Sequence, residues 1–105
     1  PQIIFVTATL LPDWQLMQTF TGSGKYTTEF FPLPSGIVRI KWDFVGDGNF
    51  AFYLKRLDTD AEELLENEIG NTNGQKIMKI GASDRYVIDV HYGDGSWTIT
   101  VEFMP

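Results

Sequence analysis

Cysteine is absent from this 105-residue chain, and there is only one histidine. The first absence excludes disulfides, thiolate metal centres and cysteine nucleophiles. The second excludes a multi-histidine zinc site. No run of about 18 apolar residues is present to span a membrane as a helix. Basic residues are few: eight Lys and Arg stand against fourteen Asp and Glu, for a net charge of −6. The excess sits in one place. Asp58–Glu68 holds six acidic residues and no basic one, and the remainder of the chain is balanced. An acidic chain without a basic patch is a poor partner for nucleic acid or anionic membranes. Compartment does not follow from missing cysteine alone. The chain opens on Pro1 rather than methionine, which reads as a processed product that has lost a leader or anchor.

Aromatic side chains are plentiful: eight Phe, four Tyr and three Trp, within 43% hydrophobic residues. That is enough apolar matter for one domain over residues 1–105 with a real core. Phe5, Phe30, Phe31 and the tryptophans are expected to bury much area. Apolar residues alternate with polar ones, the mark of half-buried strands. Val38, Ile40, Trp42 and Phe44 share one face; Phe50, Phe52 and Leu54 share another. Later, Tyr86, Ile88, Val90 and Tyr92 alternate, then Trp97, Ile99, Val101 and Phe103. Each pair of runs is separated by Gly-Asp-Gly, which reads as turn chemistry.

Parity sets the expected registers. Phe44 opposite Phe50, Trp42 opposite Phe52 and Ile40 opposite Leu54 leave the loop Gly46-Asp47-Gly48, with Gly48 left-handed. Tyr92 opposite Trp97 leaves the type I′ pair Asp94-Gly95. Asp47 and Asp94 read as turn formers. The expected core is Trp42, Phe44, Phe52, Ile88, Val90, Trp97, Ile99 and Val101. The fold class is all-β: a two-sheet antiparallel β-sandwich of about seven to nine strands.

Elsewhere, Gln2–Leu10 is strand-like and is the candidate edge. Leu11–Phe20 reads as a loop tucking Trp14 and Leu16 inward, or as a short strand. Thr21–Lys25 reads as a flexible turn, Tyr26–Leu33 as a strand ended by Pro32 and Pro34, Gly70–Gly74 as a loop, and Gln75–Ile80 as a strand. Residues 58–69 admit two readings. Thr59-Asp60-Ala61-Glu62 fits a helix capping box, whereas the all-β surroundings favour a strand over Glu63–Ile69.

Motifs for chemistry mostly fail. Gly22-Ser23-Gly24-Lys25 has Thr19 where a phosphate loop needs its first Gly and Tyr26 where it needs Ser or Thr. Asp58, Asp60 and Glu62 begin like a calcium loop, but Glu63 and Ile69 replace its Gly and closing Glu. An irregular calcium site at Asp58, Asp60 and Glu62 stays open, and no other cofactor is expected. His91 should face outward beside Asp89, opposite Thr98. None of Ser23, Ser35, Ser83 and Ser96 has a nucleophile-elbow pattern around it.

Leu64-Leu65, Asn67–Gly70, Gly74, Arg85–Val90 and Gly95–Val101 carry a resemblance, as do Gly46–Phe50 and Tyr53-Leu54. Together they resemble a small β-sandwich domain of prokaryotic envelope and secreted proteins, the bacterial pre-peptidase C-terminal type. The likeness spans Gly36–Phe103 and rests on strand and turn positions. It implies a jelly-roll-like sandwich, an extracytoplasmic location and a strand at Glu63–Ile69. It brings no catalytic residues, and it implies binding to surfaces or polysaccharide, or accompaniment of another activity.

The expected function is therefore a non-catalytic binding or interaction module, with polysaccharide or protein as partner. The alternatives are a structural subunit of a surface or multimeric assembly and, further off, a small glycan-active enzyme. The expected ligand face is the outward side of the first hairpin. There Lys41 would stand opposite Tyr53, beside Arg39, with Trp14 and Tyr26 adding aromatic surface.

Overall fold

The computed structural model describes residues 14–59 and 61–104. The expected strand Gln2–Leu10 and Phe5 lie outside the described residues. Seven strands form one antiparallel hydrogen-bonded network: β1 (Gln15–Ser23), β2 (Tyr26–Thr27), β3 (Phe31–Leu33), β4 (Gly36–Arg56), β5 (Glu62–Ile69), β6 (Thr72–Ile80) and β7 (Asp84–Met104). Two of these, β4 and β7, run for 21 residues each, far beyond an ordinary strand. They pair with each other from Ile37↔Met104 to Arg56↔Tyr86.

The Gly-Asp-Gly segments are therefore not hairpin turns. They sit within the two long strands and face each other, with Gly46 opposite Gly95. Pairing resumes at Phe50↔Gly93, so Asp47, Gly48 and Asn49 stand against Asp94 alone. Such a bulge bends and twists the strand that carries it. The glycines serve close approach rather than left-handed backbone. A Cβ on Gly46 would lie 2.6 Å from the Asp94 carbonyl oxygen, and one on Gly48 2.8 Å from Asp94 Oδ2. Gly48 is not among the positive-φ glycines; Gly24 and Gly70, at the β1–β2 and β5–β6 turns, are.

Bending folds each long strand onto itself. Phe44 stacks on Phe50 with centroids 4.7 Å apart and planes at 8°, and Trp42 meets Phe52 edge-on at 5.3 Å. The aromatic partners expected from parity do meet. They meet face to face between layers, not side by side along a ladder. Layer I holds β6, residues 36–46 of β4, residues 95–104 of β7, and β1. Layer II holds β5, residues 49–56 of β4, residues 84–93 of β7, and then β2 and β3. Counted as eight segments, this is the jelly-roll order.

The eight expected core residues are all buried, joined by Phe50, Leu54, Phe31 and Leu33. Tyr92 is not; it is 55% exposed. Ala51 pairs with Tyr92 but Phe52 pairs with Val90, leaving His91 as an unpaired extra residue. That bulge shifts the alternation and turns Tyr92 outward. Phe30 is also exposed; the Thr28 N–H still donates to the Ile88 carbonyl at 2.9 Å, but Glu29 and Phe30 lie outside strands β2 and β3. Thr28 buries its hydroxyl, which accepts a hydrogen bond from the Ile88 N–H at 2.9 Å.

The acidic segment is a strand. Thr59 Oγ1 accepts from the Ala61 N–H at 3.3 Å within the β4–β5 turn, so the capping chemistry closes a turn instead of starting a helix. Strand β1 continues through Thr21–Ser23, leaving only Gly24 and Lys25 as the turn. Likewise β6 begins at Thr72, so the loop before it shrinks to Gly70 and Asn71.

Polar groups join the two layers along the β5–β6 side. Glu66 Oε2 accepts from Trp42 Nε1 at 2.9 Å and from Thr72 Oγ1 at 3.1 Å. Lys76 pairs with Glu63. The opposite side is closed by rings, Phe20 against Phe31 at 5.4 Å and Tyr26 against Trp97 at 6.1 Å.

Candidate functional site

Alternation sends the odd residues of β4 outward in layer I. Lys41 stands between Gln75 of β6 and Thr100 of β7, and Asp43 stands between Asn73 and Thr98. These six side chains line a shallow groove of about 420 Å³, together with Trp42 and Gly74. None of the six makes a side-chain hydrogen bond, ion pair or ring contact with another described residue. The row continues onto β1, where Thr19 pairs with Thr100 and Thr21 with Thr98.

One step along β4, Arg39 lies beside the groove. Its Nε donates to Glu102 Oε1 at 2.7 Å, and its guanidinium sits 4.4 Å from the centroid of the half-exposed Trp14 ring. Cation–π contact and a charge-assisted hydrogen bond hold both side chains in place. Trp14, Arg39 and Lys41 thus share the outer face of layer I.

Tyr53 does not join them. It projects from layer II, on the opposite outer face, because β4 bends between Lys41 and Tyr53. The expected Lys41–Tyr53 pair is therefore absent. Tyr53 packs instead on His91, with centroids 4.5 Å apart. Tyr26, half-exposed at the rim of the core, packs on Trp97.

On layer II the polar side chains engage one another. Asp89 accepts from Thr27 Oγ1 at 3.0 Å and meets His91 Nε2 at 3.0 Å. His91 lies on layer II, not opposite Thr98, which belongs to layer I. No described hydroxyl is hydrogen-bonded to His91 itself; the Thr27 hydroxyl engages Asp89 instead. A second cavity, about 370 Å³, lies nearby under Phe30, with Val87 and Asp89 in its wall.

At one end of the sandwich Arg56 Nε reaches Asp58 Oδ1 at 2.8 Å and Asp84 Oδ2 at 2.9 Å. The Arg56 hydrogen bond, helped by the Arg85 N–H, holds Asp84 at about 2. Asp84 pushes Asp58 up and raises Arg56 in turn. Burial raises the Tyr86 hydroxyl. Of the three residues considered for calcium, Asp58 is committed to Arg56, Glu62 lies on β5 opposite Lys55, and Asp60 lies outside the described residues. Among the described residues no group of three or more His, Asp or Glu is placed to hold a metal ion. Among them, too, no helix is long and apolar enough to cross a membrane.

Asn73, Gln75, Thr98 and Thr100 were not singled out by sequence reasoning. The outward parity of Thr98 and Thr100 was readable. That β6 lies beside β4 at this register was not. No protein-family model matches the chain, and no curated protein does either.

Proposed function

We propose that this protein is a non-catalytic β-sandwich module that binds polysaccharide through the outer face of layer I. The observation that carries the reading is the groove of unengaged hydrogen-bonding side chains from Lys41 to Thr100. A sugar hydroxyl both donates and accepts. It is suited to a surface that offers an ammonium, a carboxylate, amides and hydroxyls together. Trp14, braced by Arg39, supplies ring surface at the margin of that face. The resemblance to pre-peptidase C-terminal domains supports an extracytoplasmic setting, in which such a module meets envelope or secreted polysaccharide.

The test is retention of the purified protein on a panel of polysaccharides. The doubly substituted Lys41→Ala/Gln75→Ala protein should lose retention while keeping its melting temperature. Tyr53→Ala, on the other face, should bind as wild type. Equal loss in Tyr53→Ala and the double variant would move the site off layer I.

A second reading, an assembly subunit, draws on Leu16, Ile77 and Ile69, which are 66%, 53% and 76% exposed. Light scattering coupled to size exclusion distinguishes it. A defined oligomer that has no affinity for glycans supports assembly over binding.

A further inference from the structure

We infer that the ligand of the layer I groove is an uncharged polysaccharide chain lying across the strands. This rests on the binding face argued above and specifies what occupies it. The charge class follows from the groove and its surroundings. Lys41 and Asp43 are neighbours on one side of β4 and cancel in net charge, without pairing to each other. Arg39, the next cation along, is already neutralised by Glu102 at 2.7 Å. The groove, lined by one ammonium and one carboxylate, therefore offers no surplus charge to a polyanion. A polycation would meet Asp43 but also the like charge of Lys41 beside it, so the groove offers it no surplus either. Neutral hydroxyls need none.

The direction follows from the sheet. Gln75, Lys41, Thr100 and Thr19 lie in register on four consecutive strands, β6, β4, β7 and β1. Neighbouring strands are about 4.8 Å apart, so these four groups span about 14 Å. The spacing between neighbouring strands, about 4.8 Å, is close to the length of one sugar unit in an extended chain. A chain crossing the strands can thus meet one hydrogen-bonding side chain per unit. A chain running along β4 would leave the groove after Asp43 and meet the exposed aliphatic Val45.

The experiment measures affinity for hydroxyethyl-cellulose and soluble β-1,3-glucan as neutral probes and for alginate as an anionic one, each at low and high salt. The inference expects binding to at least one neutral probe, unchanged by salt. Thr19→Ala and Gln75→Ala, at opposite ends of the row, should each weaken it by about twofold to tenfold. Ser96→Ala, farther along β7, should leave it unchanged. Preference for alginate, weakened by salt, overturns the uncharged ligand while leaving the binding face intact. Loss with Gln75→Ala but none with Thr19→Ala overturns the crossing direction. Failure to bind any polysaccharide defeats the underlying reading of the face itself.

Discussion

The two outer faces of this sandwich share β4 and β7, yet the groove on one and the polar cluster on the other treat their side chains in opposite ways. On layer II, Thr27, Asp89, His91 and Tyr53 contact one another, and Arg56 gathers Asp58 and Asp84. On layer I, the groove side chains from Asn73 to Thr100 face solvent without partners among the described residues. Groups that satisfy each other have little left to offer a ligand. Groups held in register by a rigid sheet, and satisfied only by water, can exchange that water for a ligand's hydroxyls. The difference teaches where to look: the face with fewer internal contacts is the one equipped to make external ones.

The largest expected effect removes the core that both faces share. Trp97 is 2% exposed and donates its indole N–H to the Gly24 carbonyl at 3.0 Å. Trp97→Ala should cost about 3–5 kcal/mol in denaturant unfolding. A loss below about 1 kcal/mol would mean that the layers do not depend on a common core. Next comes the bend. Gly46→Ala places a methyl against the Asp94 carbonyl and should cost about 1–3 kcal/mol. Gly81→Ala, where a Cβ meets nothing within 4 Å, should stay within about 0.5 kcal/mol.

The third prediction concerns the engaged face and pH. Asp84 is held at about 2, below its ordinary 3.8. A carboxylate with a depressed folded pKa stabilises the fold above its unfolded pKa. That contribution is lost as pH falls from about 4 through about 2. Asp58, shifted upward, acts in the opposite sense and above that window: protonating it as pH falls toward its ordinary 3.8 relieves the fold before Asp84 begins to lose its contribution. The melting temperature of wild type should therefore fall across this window, and Asp84→Asn should flatten the fall. An identical acid profile for both proteins would remove Asp84 from the account. The smallest effect is the sharpest contrast. Lys41→Ala should change stability by less than about 0.5 kcal/mol, since the side chain contacts nothing that folding needs. A larger loss would show that layer I uses its polar groups internally after all.

Much of this architecture was legible from alternation. The core positions from Trp42 to Val101 could be read because period-two patterning reports which side of a strand is buried, whichever strand lies next to it. The same parity found that Trp42 meets Phe52 and Phe44 meets Phe50. Parity is blind, however, to whether two residues meet across a ladder or across a core. Parity alone therefore reads the Gly-Asp-Gly segments as hairpins. Tyr92 was misplaced because the bulge at His91 arises from pairing with Ala51 and Phe52, far away in the chain. Of the candidate site, Arg39 and Lys41 are readable as outward from parity, whereas Trp14 admits an inward reading as well. Tyr53 was assigned to the wrong side by the assumed hairpin. The amides from β6 were unreadable as neighbours of Lys41.

What the sequence by itself determined is the strand content and, for most positions, which residues of a strand are buried. These follow from local sterics and from the separation of apolar and polar groups along a pleated chain. Only the tertiary structure decided which strands are neighbours, that β4 and β7 bend together at Gly46 and Gly95, and hence which outward side chains share a face. The reason is physical. Hydrogen-bonded ladders such as Ile37↔Met104 and Gln15↔Phe103 join residues far apart in the chain and depend on the packing of the whole core, and no local pattern records their register.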